Sequence, residues 1–190
     1  MIGAVEDPTL DGIRFIADDA SLRDRAVDPD KARARRDELV AALAALPAGA
    51  DPGRRARLLG LRTVLSRVLG DLDDAALAGE QSLRAAQQSG DAGAVVVAMI
   101  RLAHVRQWRG ELNVADTLFG QALSESGRAA PAYRSFALQH SGKNAYEQRR
   151  YEEAARWFAA ALQLRELEGD DELIASSRQA LRAAERRLGR

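Results

Sequence analysis

The 190-residue sequence contains no cysteine, and this absence excludes disulfide bonds, thiolate metal sites and cysteine nucleophiles. A chain without cysteine suits a reducing compartment, so we expect a cytoplasmic protein. The net charge is +0, with 28 basic and 28 acidic groups. This balance argues against a protein that mainly coats nucleic acid or an acidic membrane surface.

Long hydrophobic runs are also missing. The longest nearly uncharged stretch, residues 92–100, is much shorter than the roughly 20 residues that span a bilayer. The first eight residues turn acidic and lack the basic start and apolar run of a secretory signal. We therefore expect neither a leader peptide nor a membrane-spanning segment.

Aromatic residues make up only 5% of the sequence and β-branched residues are sparse, whereas alanine is abundant. Because strand-forming residues are scarce, the composition predicts an all-α fold. Arginine far outnumbers lysine, which occurs only as Lys31 and Lys143. A GC-rich genome explains this bias most simply, and it suggests a bacterial source.

From residue 54 onward, apolar residues recur at three- and four-residue spacing between breaks at Gly, Asp or Pro. This pattern predicts successive amphipathic helices joined by tight turns. Gly70 and Gly110 stand where a helix end needs a left-handed residue, and an acidic residue follows each of them. The predicted helices cover approximately residues 53–69, 72–88, 92–108, 112–126, 131–148, 151–167 and 171–188.

Residues 1–50 differ from this pattern, and we interpret them as an N-terminal helical cap on an array formed by residues 51–190. A helix is predicted over residues 31–46, because Asp28-Pro29-Asp30 is typical of a helix start. A further short helix is predicted within residues 9–25. Its apolar side chains would pack on the first helical hairpin of the array: Ile13, Phe15, Ile16 and Leu22.

The second helix of each predicted hairpin carries similarly spaced residues. The segments are Ala75-x3-Gly79-x2-Ser82, Ala115-x3-Phe119-x2-Ala122 and Ala154-x3-Phe158-x2-Ala161, a period of about 40 residues. Before each leading alanine, in the first helix of the hairpin, stands a small residue: Thr63, Ala103 or Gly142. Small side chains let two helix backbones approach, and a bulky residue one turn later fills the space between layers.

This pattern resembles the tetratricopeptide repeat family, most closely in Gly142-x11-Ala154-x3-Phe158-x2-Ala161. The resemblance covers residues 54–168. It implies a right-handed α-α superhelix of about three hairpins, at 53–88, 92–126 and 131–167, closed by a solvating helix at 171–188. The repeat is longer than the roughly 34 residues usual in the family. Gly79 replaces the expected aromatic residue, and Arg149 replaces the expected turn glycine.

Few residues suggest chemistry. His104 and His140 lack a neighbouring carboxylate or histidine at ligand spacing, so we expect no metal site. The segment Gly142-Lys143-Asn144 lacks the other residues of a phosphate-binding loop, and no nucleophile motif is present. We therefore expect a non-catalytic protein without a cofactor.

The arginine groups at 33–36 and 54–57 adjoin acidic residues and have no interleaved aromatics, which argues against nucleic-acid binding.

The resemblance also implies a concave groove lined by the first helix of each hairpin and closed by the end helix. Its predicted lining is Ile100, His104, Gln107, Trp108, Phe136, Gln139, Lys143, Tyr146, Arg178 and Arg182. Apolar and aromatic anchors with a basic rim suit a peptide that carries a hydrophobic side chain and acidic groups. For Trp108 and Tyr146, packing between helices is an equally good interpretation.

We therefore predict a protein-interaction module, an adaptor that binds a protein or peptide partner in this groove. One alternative is a regulatory protein that senses a peptide or ligand through a change in the curvature of the array. Another is a structural protein that assembles through an exposed terminal helix, for example as a homodimer.

Overall fold

The computed structural model describes residues 7–18 and 21–189. These residues form eight helices, packed in consecutive pairs, and one two-stranded sheet, which confirms the all-α prediction. None of the helices in these two ranges combines the length and apolar character that crossing a membrane requires. The helices are α1 (Pro29–Ala44), α2 (Pro52–Val68), α3 (Leu72–Ser89), α4 (Ala92–Trp108), α5 (Leu112–Arg128), α6 (Arg134–Glu147), α7 (Tyr151–Glu168) and α8 (Asp171–Arg187).

The helix boundaries follow local signals in the sequence. Asp51 and Asp91 accept hydrogen bonds from backbone N–H groups in the first turns of α2 and α4, as N-cap residues do. Gly70 and Gly110 adopt the predicted left-handed conformation, with φ of 85° and 78°. Arg149 takes the same conformation in the turn between α6 and α7, with φ of 61°. Within residues 53–188, the helix predicted over 131–148 begins with a short 3-10 turn, Pro131–Tyr133, before α6.

The small residues and aromatic anchors of the repeat meet in the core as predicted. A Cβ atom at Gly142 would lie 2.6 Å from the ring of Phe158, which is fully buried. Ala103 and Phe119 likewise share one core cluster between α4 and α5. In the first hairpin, Gly79 of α3 lies against the side chains of Thr63 in α2 and Leu102 in α4.

The predicted short helix within residues 9–25 is wrong. Phe15–Ala17 forms strand β1 and Asp24–Ala26 forms strand β2, and the two pair as an antiparallel hairpin with Ile16 opposite Arg25. The side chain of Asp18 accepts a hydrogen bond from the backbone N–H of Ser21, a local bond that favours a turn over a helix.

The β-hairpin also does more than cap the first helical hairpin. Ile13 packs in a cluster with α1 and α2, as predicted. Leu22, by contrast, packs against Tyr146 and Phe158 and against the alanines of α8. The N-terminal segment therefore contacts both ends of the helical array.

Candidate binding groove

The first helices of the three hairpins, α2, α4 and α6, together form the groove face, and the chain's own residues 21–24 lie on it. We call these residues the latch segment. Six side chains from the three helices surround it: Arg67, His104, Gln107, Trp108, Lys143 and Glu147. A segment of the same chain therefore covers part of the surface that was predicted to hold a partner peptide.

Asp24 is the acidic group of the latch segment. Its carboxylate accepts a hydrogen bond from Nζ of Lys143 at 3.0 Å, and a guanidinium nitrogen of Arg67 lies 3.5 Å away. Burial acts to raise the pKa of Asp24, but the charges of Lys143 and Arg67 outweigh it and hold the pKa below 3.8. Burial lowers the pKa of Arg67, and Asp24 opposes this change. The carboxylate of Asp24 therefore balances the positive charges of Lys143 and Arg67, which are partly shielded from water.

Arg23 provides a basic group next to this acid. Its Nε donates a hydrogen bond to Oε1 of Glu147 at 2.6 Å, and its guanidinium lies 5.0 Å from the ring centroid of Trp108. The guanidinium of Arg67 also contacts this ring, at 4.5 Å. Two cation–π contacts therefore converge on one indole.

Leu22 is the apolar anchor of the latch segment. It is 4% exposed and packs in the core cluster formed by α6, α7 and α8. Its backbone is left-handed, with φ of 58°, which costs a residue with a side chain about 1–2 kcal/mol. Burying a leucine side chain contributes about 1.5–3 kcal/mol, so packing offsets this strain.

His104 and His140 form a hydrogen-bonded pair beneath the latch segment. Nδ1 of His104 donates to Oε1 of Gln107 at 2.9 Å, and Nε2 accepts from Nδ1 of His140 at 2.7 Å. Burial, followed by the charges of Arg67 and Lys143, lowers the pKa of His104, and burial likewise lowers that of His140. Both imidazole rings are therefore uncharged, and they act as hydrogen-bonding groups within the core. Across residues 7–18 and 21–189, no cluster of three or more His, Cys, Asp or Glu side chains could hold a metal ion.

Several other predicted groove residues lie elsewhere. Ile100 is 1% exposed and packs with Val96 in the core between α4 and α5, so its predicted place in the groove is wrong. Arg178 forms an exposed ion pair with Glu166 of α7, at 2.7 Å, and does not contact the latch segment. Arg182 is also exposed. The face of α8 that lies toward the β-hairpin is formed by Ser176, Gln179 and Ala180, and Arg178 and Arg182 lie outside it.

The remaining predicted residues lie under the groove face. The ring of Phe136 packs against His140, with centroids 4.2 Å apart. Oε1 of Gln139 accepts a hydrogen bond from Ser177 of α8 at 2.8 Å. Tyr146 is buried in the core cluster around Leu22, and this favours the packing interpretation of its ring.

Sequence reasoning missed Arg67 and Glu147, and a signal for both was present. Arg67 stands four residues after Thr63, as Gln107 does after Ala103, and Glu147 stands five residues after Gly142, as Trp108 does after Ala103. The spacing of His104 and His140 is close to the same period and places them on adjacent helices. In helical arrays, residues about one repeat apart lie side by side.

No protein-family model matches the sequence, and a search of curated proteins finds no match. Among solved structures, the crystal structure of BtubC (BKLC) from P. vanneervenii is similar, with a TM-score of 0.67. The match covers 84% of this chain and 67% of that chain, at 20% sequence identity. At this identity the likeness concerns the fold alone.

Proposed function

We propose that this protein is a non-catalytic interaction module of the tetratricopeptide repeat kind, which binds a peptide segment of a partner protein on its groove face. The observation that supports this proposal is the latch segment, a short piece of the same chain that lies against this face. We further propose that it acts in the cytoplasm, which is consistent with the lack of cysteine.

The latch segment also suggests which peptides the face would accept. Leu22 fills an apolar site beside Tyr146, Arg23 pairs with Glu147, and Asp24 pairs with Lys143. A partner that replaces the latch segment must provide equivalent groups, because removing Asp24 without replacement leaves two partly buried cations uncompensated. We therefore expect a partner segment with a large aliphatic residue followed by a basic and an acidic residue.

A regulatory sensor is the second candidate, and the contacts of the β-hairpin favour it. Ile13 packs with the first helical hairpin, whereas Leu22 packs with the last one. A partner peptide that displaces Leu22 would remove one of the two attachments and leave the other in place. Binding would then change how the ends of the array are held together.

A synthetic peptide of residues 13–27 tests the groove directly. The full chain carrying Leu22→Ala should release its latch segment and bind this peptide with one-to-one stoichiometry, measured by fluorescence anisotropy. The same peptide carrying Leu22→Ala is the matched control, and it should bind at least about tenfold more weakly because it lacks the anchor. Equal binding of both peptides would show that the groove does not recognise the segment.

A second experiment addresses the natural partner. The tagged full chain is purified from its host as wild type, Lys143→Glu and Lys31→Glu. A partner of the groove should be recovered with wild type and with Lys31→Glu, the exposed control, but not with Lys143→Glu. Recovery of the same proteins with all three would exclude the groove as their binding site. A dimer of the purified wild type in light scattering would favour the self-assembling alternative.

A further inference from the structure

A cavity of about 560 Å³ opens between the first turns of α2 and α4, and the latch segment does not line it. Arginine side chains from both helices face it, Arg54 and Arg57 from α2 and Arg101 from α4. Apolar side chains of α4, including Ala94 and Val97, form another part of the wall. This volume lies within the range of small-molecule sites in proteins.

The carboxylates that line the cavity already have partners. Asp7 accepts hydrogen bonds from Nε and Nη2 of Arg54, at 2.8 and 2.6 Å, and also from Arg57. Asp51 accepts from the backbone N–H of Arg54 and caps α2. Asp91 accepts from two backbone N–H groups and caps α4. Among the described residues, each carboxylate that lines the cavity therefore has a partner other than the third arginine.

That third arginine, Arg101, forms no hydrogen bond or ion pair with its side chain in the part of the chain that the structure describes. Its guanidinium passes over Gly60, where a Cβ atom would overlap Nη1. Burial lowers the pKa of Arg101 to about 10, and no nearby carboxylate opposes this effect. The guanidinium is partly shielded from water and lines the cavity, so it is a candidate contact for an anionic ligand.

We propose that this cavity binds a small organic anion, whose carboxylate or phosphate group pairs with Arg101 and whose apolar part lies on Ala94 and Val97. A guanidinium matches both oxyanions with two parallel hydrogen bonds. The exposed ring of Tyr133, which packs over Gly93 at the edge of the cavity, adds an aromatic surface for such a ligand. This site is separate from the groove and does not depend on the proposed peptide binding.

Isothermal titration of the full chain at constant ionic strength tests the proposal, with benzoate, phenyl phosphate, inorganic phosphate and benzamide as probes. Benzoate or phenyl phosphate should bind, and which of them binds more tightly distinguishes a carboxylate from a phosphate ligand. Inorganic phosphate should bind more weakly than phenyl phosphate, because it lacks the apolar part. Benzamide, the neutral analogue of benzoate, should not bind.

Two variants assign the binding to Arg101. Arg101→Gln should weaken it at least about tenfold, since a hydrogen bond to a charged group is lost. Gly60→Ala retains the charge but displaces the guanidinium, and it should weaken binding as well. Arg128→Gln, which changes an exposed arginine that pairs with Glu125, is the control and should bind like wild type. Failure of both organic anions to bind, or equal binding by Arg101→Gln and wild type, would overturn the proposal.

Discussion

Leu22→Ala should detach the latch segment from the groove face while leaving the helical array folded. The substitution keeps the left-handed backbone of residue 22. It removes most of the side chain whose burial offsets the strain of that backbone. Truncating a buried leucine costs about 2–5 kcal/mol, and we take about 2–3 kcal/mol here because a segment at the surface can relax. A loss of that size lowers the ratio of docked to released latch by about 30- to 150-fold.

The polar contacts of Arg23 with Glu147 should matter less than this apolar anchor. The Arg23 side chain is 39% exposed, and exposed ion pairs contribute about 0–1 kcal/mol. Ile16→Ala provides the matched control, because Ile16 is a large aliphatic residue of the same β-hairpin but is 37% exposed. We expect its effect on docking to stay below about 1 kcal/mol.

Fluorescence of Trp108 reports latch release, since its ring contacts Arg23 only while the segment is docked. The measurement needs Trp157→Phe as background, because Trp157 is the other tryptophan of the chain. Hydrogen exchange of residues 13–27 provides a second readout. If Leu22→Ala leaves both signals at wild-type values, or if Ile16→Ala changes them equally, then Leu22 is not the anchor of the segment.

Three further predictions concern the fold. Phe158→Ala should lower the free energy of unfolding by about 3–5 kcal/mol in a denaturant melt, and a loss below about 1 kcal/mol would contradict the packing of Phe158 on Gly142. Arg149→Gly should raise the melting temperature, because it relieves a left-handed backbone that costs about 1–2 kcal/mol, and a lower melting temperature would refute this account. Stability should fall as the pH drops below about 6.5, because the folded state lowers the pKa of His104 and the unfolded chain takes up the proton first. The lowered pKa of Asp24 adds a further loss below about pH 3.8, and equal free energies of unfolding at pH 7 and pH 5 would contradict the histidine contribution.

The helical array could be predicted closely from the sequence because its signals are local and repeated. The spacing Ala154-x3-Phe158-x2-Ala161 defines one face of α7, and the need for a small partner in α6 leads to Gly142. The β-hairpin could not be predicted in the same way. Its strands are only three residues long, and the burial of Leu22 depends on a helix more than 120 residues away in the sequence.

The groove was only partly predictable for a related reason. Lys143 and Trp108, which the spacing from the small residues of the repeat assigned to the groove, both lie against the latch segment. Ile100 was misplaced because it shares a helical face with Val96, and that face packs against α5. The spacing of apolar residues along one helix can define two apolar faces. The position of the neighbouring helix then determines which face is buried.

Several costly features of the chain, though not the left-handed Arg149, lie on one side of the array. Leu22 has a strained backbone, Arg23 and Arg67 share one indole ring, and Arg101 has no ion-pair partner among residues 7–18 and 21–189. Each lies on or beside α2, α4 and α6, the helices of the groove face, and none is needed to close the hairpins of the repeat. Proteins depart from locally favourable choices mainly at functional sites. The presence of these features on the same face supports both proposed sites, the groove and the neighbouring anion cavity.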